Sequence, residues 1–192
     1  PLDYPAVPTA ATHTTIAQET NQSVVIVGYQ TPSVKDAAYA PLKLISTYLG
    51  SGLSSRLFVE LREKRGLAYD VSAFYPTRLG LSQFVGHMGT APDNQTIALE
   101  GLRSEIERLG KVGLTAAELQ ASKNKLLGQY ALGKQTNAQL GQLLGWYEVL
   151  GLGVEFDAVF QDMIRAVSED MVQTVAQQSL KDPFTVVLGP HS

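Results

Sequence analysis

The chain has 192 residues, 44% hydrophobic and 17% charged, with a net charge of −3 and no cysteine. That is length enough for one sizeable domain with a real core. It excludes disulfides, Cys-ligated zinc and thiol catalysis, and the scattered Lys and Arg give no electrostatic footprint for nucleic acid. No apolar run approaches the ~18 residues of a membrane-spanning helix, so membrane insertion is not expected.

In chain order, residues 1–20 (PLDYPAVPTAATHTTIAQET) hold three Pro and five Thr and show neither helical nor strand period. They read as a linker, continuing from a longer or processed chain, ahead of a single folded unit over residues 21–192. Ser23–Gln30 is a β-branched apolar run, the pattern of a strand buried on both faces. Ser33–Gly50 reads as a helix with Leu42, Ile45 and Leu49 at helical spacing, and Pro41 predicts a kink or a late start. A second helix runs from about Ser54 to Arg65, with Leu57, Phe58 and Leu61 as its apolar stripe and Gly66 at the C′ position.

Two strands follow, Leu67–Thr77 and Leu81–Gly89, joined by a short hairpin turn. Residues 90–110 are amphipathic, with Leu99, Leu102, Ile106 and Leu109 on one face. Thr115 and Glu118 have capping-box spacing and open another helix. From Ala131 to Gly153 five glycines weaken a helical reading, since each glycine in a helix costs up to ~1 kcal/mol relative to Ala. Val154–Ala166 and Ser168–Ser179 form two short helices, the second capped by Ser168, and FTVVLG closes the chain as a strand. Strands that do not alternate regularly with helices imply an α+β fold, a mostly antiparallel sheet covered on one face by helices.

Catalytic constellations are absent from the sequence. His13, His87 and His191 have no partner at metal-ligand spacing, and neither His-x-x-Glu-His nor His-Glu-x-x-His occurs. His87 reads as a satisfied sheet histidine. GSGLSS (50–55) precedes a helix but lacks the Lys of a phosphate loop, so a turn with an N-cap explains it better than a phosphate site.

One pair stands out. On the Ser54–Arg65 helix, Arg56, Glu60 and Lys64 follow one another at i+4 and pair internally. Arg62 has no carboxylate at i±3 or i±4, so its guanidinium must look beyond the helix for an acceptor. Tyr69 follows the Gly66 break and, by period two, points with Leu67, Val71 and Ala73. Two donors on elements joined by a tight turn can hold a substrate carbonyl or an oxyanion. From the residues alone, a solvated surface Arg62 and a half-buried strand Tyr69 account for the pattern better.

The surroundings add to this. YLGSGLSSRLFVELREKRGLAYDVSAFY, most specifically GLSSRLFVELREKRGLAY, resembles the C-terminal-half signature of the M16 (insulinase- and pitrilysin-like) zinc metallopeptidases. The likeness continues through LTAAELQASKNKLLGQY, AVSEDMVQTVAQQSL and FTVVLGP. The resemblance implies the half-barrel α+β metallohydrolase unit that this family duplicates, with one half carrying His-x-x-Glu-His and the other metal-free. It implies that Arg62 and Tyr69 are catalytic and substrate-binding residues of the metal-free half. This domain would then bind no cofactor, zinc would sit in a partner half on the same chain or on another subunit, and the substrate would be a peptide. Such a half is expected to be inactive alone, and its uncovered partner-facing surface makes a homodimer of the isolated domain one option. A structural or peptide-binding subunit of the same fold, without proteolysis, is the alternative.

Overall fold

The computed structural model describes residues 10–190. Its centre is a five-stranded sheet in the order β1-β5-β2-β4-β3. The strands are β1 (His13–Ala17), β2 (Ser23–Thr31), β3 (Asp70–Phe74), β4 (Ser82–Thr90) and β5 (Phe184–Gly189). Every pairing is antiparallel except β1 with β5. The fold is therefore α+β with a mostly antiparallel sheet, as the element order predicts.

The helices are α1 (Tyr39–Gly50), a π-helix (Phe58–Lys64), a short 3-10 turn (Pro92–Asn94), α2 (Gln95–Val112), α3 (Ala116–Leu132), α4 (Asn137–Val149), α5 (Phe156–Ala166) and α6 (Glu169–Ser179). None is long and apolar enough to cross a membrane.

Side chains of β2 to β5 alternate by face. Val25, Val27, Tyr29, Val71, Ala73, Phe84 and Met88 are buried, and α1 and α2 pack onto β2, β3 and β4. The opposite side of β2 and β4 stays half-exposed, including Val24, Ile26, Val85 and His87. The expectation that β2 is buried on both faces is thus corrected: its apolar run alternates between the core and an open face. Continuous apolar sequence misled here because the open face is itself apolar, with Ile26 beside Val186 and His87 in register.

Three further differences have local causes. Residues 13–17, inside the segment read as a linker, form β1 along the edge of β5. All five of its residues are exposed, so the strand exists by backbone pairing and leaves no alternation to detect. Residues 1–9 lie outside the described part, as does His191. The first hairpin strand is shorter than read, Asp70–Phe74 within Leu67–Thr77, and the second is shifted by one residue to Ser82–Thr90, with residues 75–81 connecting them; in this connection the Tyr75 hydroxyl donates to the Pro32 carbonyl and the Ser82 hydroxyl to the Pro76 carbonyl. The helix around Arg62 is wound as a π-helix rather than an α-helix. Other expectations hold. Pro41 delays α1 until Tyr39, the Thr115–Glu118 capping box is complete, and the Ser168 hydroxyl accepts from the Met171 N–H.

Candidate functional site

The π-helix hangs from the core by its apolar side. Leu57 and Leu61 are fully buried, and α2 supplies the counter-charge from beneath. Glu105 of α2 is 5% exposed and would be costly there without partners. It accepts from Arg56 Nε at 2.9 Å and from Arg65 Nη2 at 2.7 Å. On the outer flank Glu60 takes Arg56 at 3.2 Å and Lys64 at 2.7 Å. The hydrogen bond from Lys64 is the main cause that holds the Glu60 carboxyl below its usual range.

Arg62 is the exception. It is exposed, and no ion pair or side-chain hydrogen bond involves it among the described residues, so the sequence expectation of an unpaired guanidinium agrees with the structure. Its guanidinium lies over an aromatic face: Arg62 Cζ is 5.0 Å from the centroid of Phe58. The helix ends when the Leu67 N–H reaches back to the Leu61 carbonyl at 2.9 Å and Gly66 turns the chain at φ +63°. Only a residue without Cβ adopts that conformation freely.

Tyr69 follows in a bend one residue before β3, anchored by its own N–H to the Gly89 carbonyl at 2.9 Å. Periodicity groups Tyr69 with Val71 and Ala73, yet those two are buried and Tyr69 is 57% exposed. The bend releases it from the pleat, and its ring is open to solvent at the place where the strand begins. Both candidate residues are accessible, and neither is sealed under aliphatic packing.

The loop before the helix is tied from a distance. Lys125 of α3 donates to the Ser51 carbonyl and to Ser54 Oγ, and Gln129 of α3 donates to Ser51 Oγ. A lysine thus does reach GSGLSS, from more than seventy residues downstream, and two of its three donors go to the loop itself. Local pattern reading had no signal for it.

His87 pairs with Asp70 across β3 and β4 at 3.3 Å and lies beside the Phe74 ring. A zinc site needs three or four such ligands, and no group of three or more potential ligands exists among the described residues. The side chains present here do not fit a zinc ion.

The family model described as "Peptidase M16 inactive domain" matches residues 1–126. The chain belongs to the M16 peptidase family, as an inactive domain. It is 32% identical over 177 residues to a zinc protease of Streptomyces coelicolor, an alignment that covers 91% of this chain and 38% of that protein. The M16 inactive domain from Pseudomonas fluorescens superposes with a TM-score of 0.88 at 23% identity, over 100% of this chain and 46% of the other. A protease from Helicobacter pylori gives 0.87 at 23% identity, over 98% and 48%. This M16 domain thus spans 38 to 44% of the length of the curated zinc proteases it matches.

Proposed function

We propose that this M16 domain is the metal-free half of a zinc endopeptidase, and that Arg62 and Tyr69 complete the active site of a zinc-bearing half. The observation that carries the reading is selective: Arg56, Lys64 and Arg65 are all matched to carboxylates, and Arg62 is left free. A planar fork of five donors with no internal acceptor suits an extended peptide, whose carbonyls are unpaired acceptors. Arg62 holds a substrate carbonyl. Tyr69 donates its phenolic hydrogen to the oxyanion that develops as the scissile carbonyl becomes tetrahedral. The other half supplies zinc, its ligands and the activated water.

In the assembled protease, Tyr69→Phe should lower kcat by about 100-fold, the effect of losing one oxyanion donor, and leave KM within about two-fold. Zinc content and thermal stability should not move, because the lost hydroxyl makes no hydrogen bond among the described residues. Wild-type kcat in the Phe variant would remove the phenol from the reaction.

A further inference from the structure

Arg62 poses a positional problem that the reading above leaves open. A guanidinium on a flexible stem carries about 2 kcal/mol of rotamer entropy, and neighbouring cations on this helix are fixed by carboxylates. A carboxylate on Arg62 would fix it too, but would occupy two of its donors and cancel its charge. Phe58 offers the other solution. It stands four residues earlier, and long helical side chains lean towards the N-terminus over the residue one turn back. The guanidinium carbon lies 5.0 Å from the ring centroid, inside the ~6 Å range of a cation–π contact. The ring attracts the cation by its face and leaves every N–H free. Phe58 is itself held, half-buried and packed against the core cluster.

We propose that Phe58 is a positioning residue for Arg62: its ring orients the guanidinium towards the peptide while consuming none of its hydrogen-bond donors. This rests on the reading of Arg62 as a substrate-binding group. Phe58 touches no substrate, and its effect passes wholly through Arg62.

The test is a double-mutant cycle in the assembled protease, with kcat/KM for a peptide as readout and thermal stability and zinc content alongside. Phe58→Leu removes the ring and keeps an apolar side chain; Phe58→Met does the same with a longer, more adaptable side chain should Leu destabilise the domain. Either should lower kcat/KM about two- to five-fold, mainly through KM. Phe58→Trp should restore it, since indole is the better cation–π face. On an Arg62→Ala background the Phe58 variants should have no further effect. An equal loss with and without Arg62 would make Phe58 a packing residue only and overturn the proposal, as would wild-type kinetics for both Leu and Met. If Arg62→Ala itself leaves kcat/KM unchanged, the reading of Arg62 as a substrate-binding group fails first, and the proposal with it.

Discussion

Lys43 carries a charge into an aromatic cage. Its Nζ donates to the Tyr75 carbonyl at 2.9 Å and sits 5.4 Å from the ring centroids of both Tyr39 and Tyr75. No carboxylate pairs with it among the described residues, and burial lowers its pKa from 10.5 to about 8. The folded state therefore sheds this proton near pH 8, and the unfolded chain keeps it until about 10.5. Between those values the unfolded state binds more protons, so stability rises with pH. The ammonium penalty is fully present below about pH 8 and amounts to roughly 3 kcal/mol. Above pH 10 the trend reverses, because burial pushes the phenols of Tyr29, Tyr39 and Tyr75 up, and Tyr48 to about 12. Urea unfolding at pH 7 and 9.5 should show the increase in the wild type, and Lys43→Met should flatten it. A flat wild-type profile would mean that water reaches the ammonium. At this scale the sequence exposes what lies on one element. Arg62 lacks a carboxylate within a turn, and that is readable. The Phe58 stack was within reach of the same i+4 arithmetic but carries no charge to draw notice. Glu105 reaching Arg56 and Arg65 from α2, and Lys125 reaching Ser51 from α3, are tertiary facts.

Among the elements, two glycines show how position decides meaning. Gly50 ends α1 against β3, where an added Cβ would collide with the Ala73 backbone. The Ser72 hydroxyl also donates to the Gly50 carbonyl at 2.9 Å, so helix and strand meet backbone to backbone. Gly141 lies inside α4 with nothing within 4 Å of such a Cβ. Gly50→Ala should cost about 2–3 kcal/mol or more, since backbone cannot step aside as a side chain can. Gly141→Ala should stabilise by up to ~1 kcal/mol by relieving the helix-interior glycine. Chemical denaturation of both variants checks the pair; equal effects would contradict the packing described. The sequence breaks at Gly50 and the weak helix over α4 were both legible. The π-winding was not, because over seven residues a wider turn leaves much the same apolar stripe as an α-helix. The exposed edge strand β1 was invisible for the opposite reason: it has no stripe at all.

For the whole molecule, the helices of this M16 domain cover one face of the sheet and the other face stays partly open. The candidate residues Arg62 and Tyr69 lie outside the packed core, on a π-helix and in the bend before β3, joined by the Gly66 turn. Family membership was expected from the resemblance carried by GLSSRLFVELREKRGLAY, a stretch that also holds the buried stripe, the turn and both candidate groups. If catalysis needs groups from two halves, peptidase activity measured in parts will reveal it. The zinc-bearing half alone, this M16 domain alone, and the two together are assayed on the same peptide. Turnover is expected only for the two together, and is lost when this domain carries Arg62→Ala and Tyr69→Phe. Full turnover by the zinc-bearing half alone would contradict it.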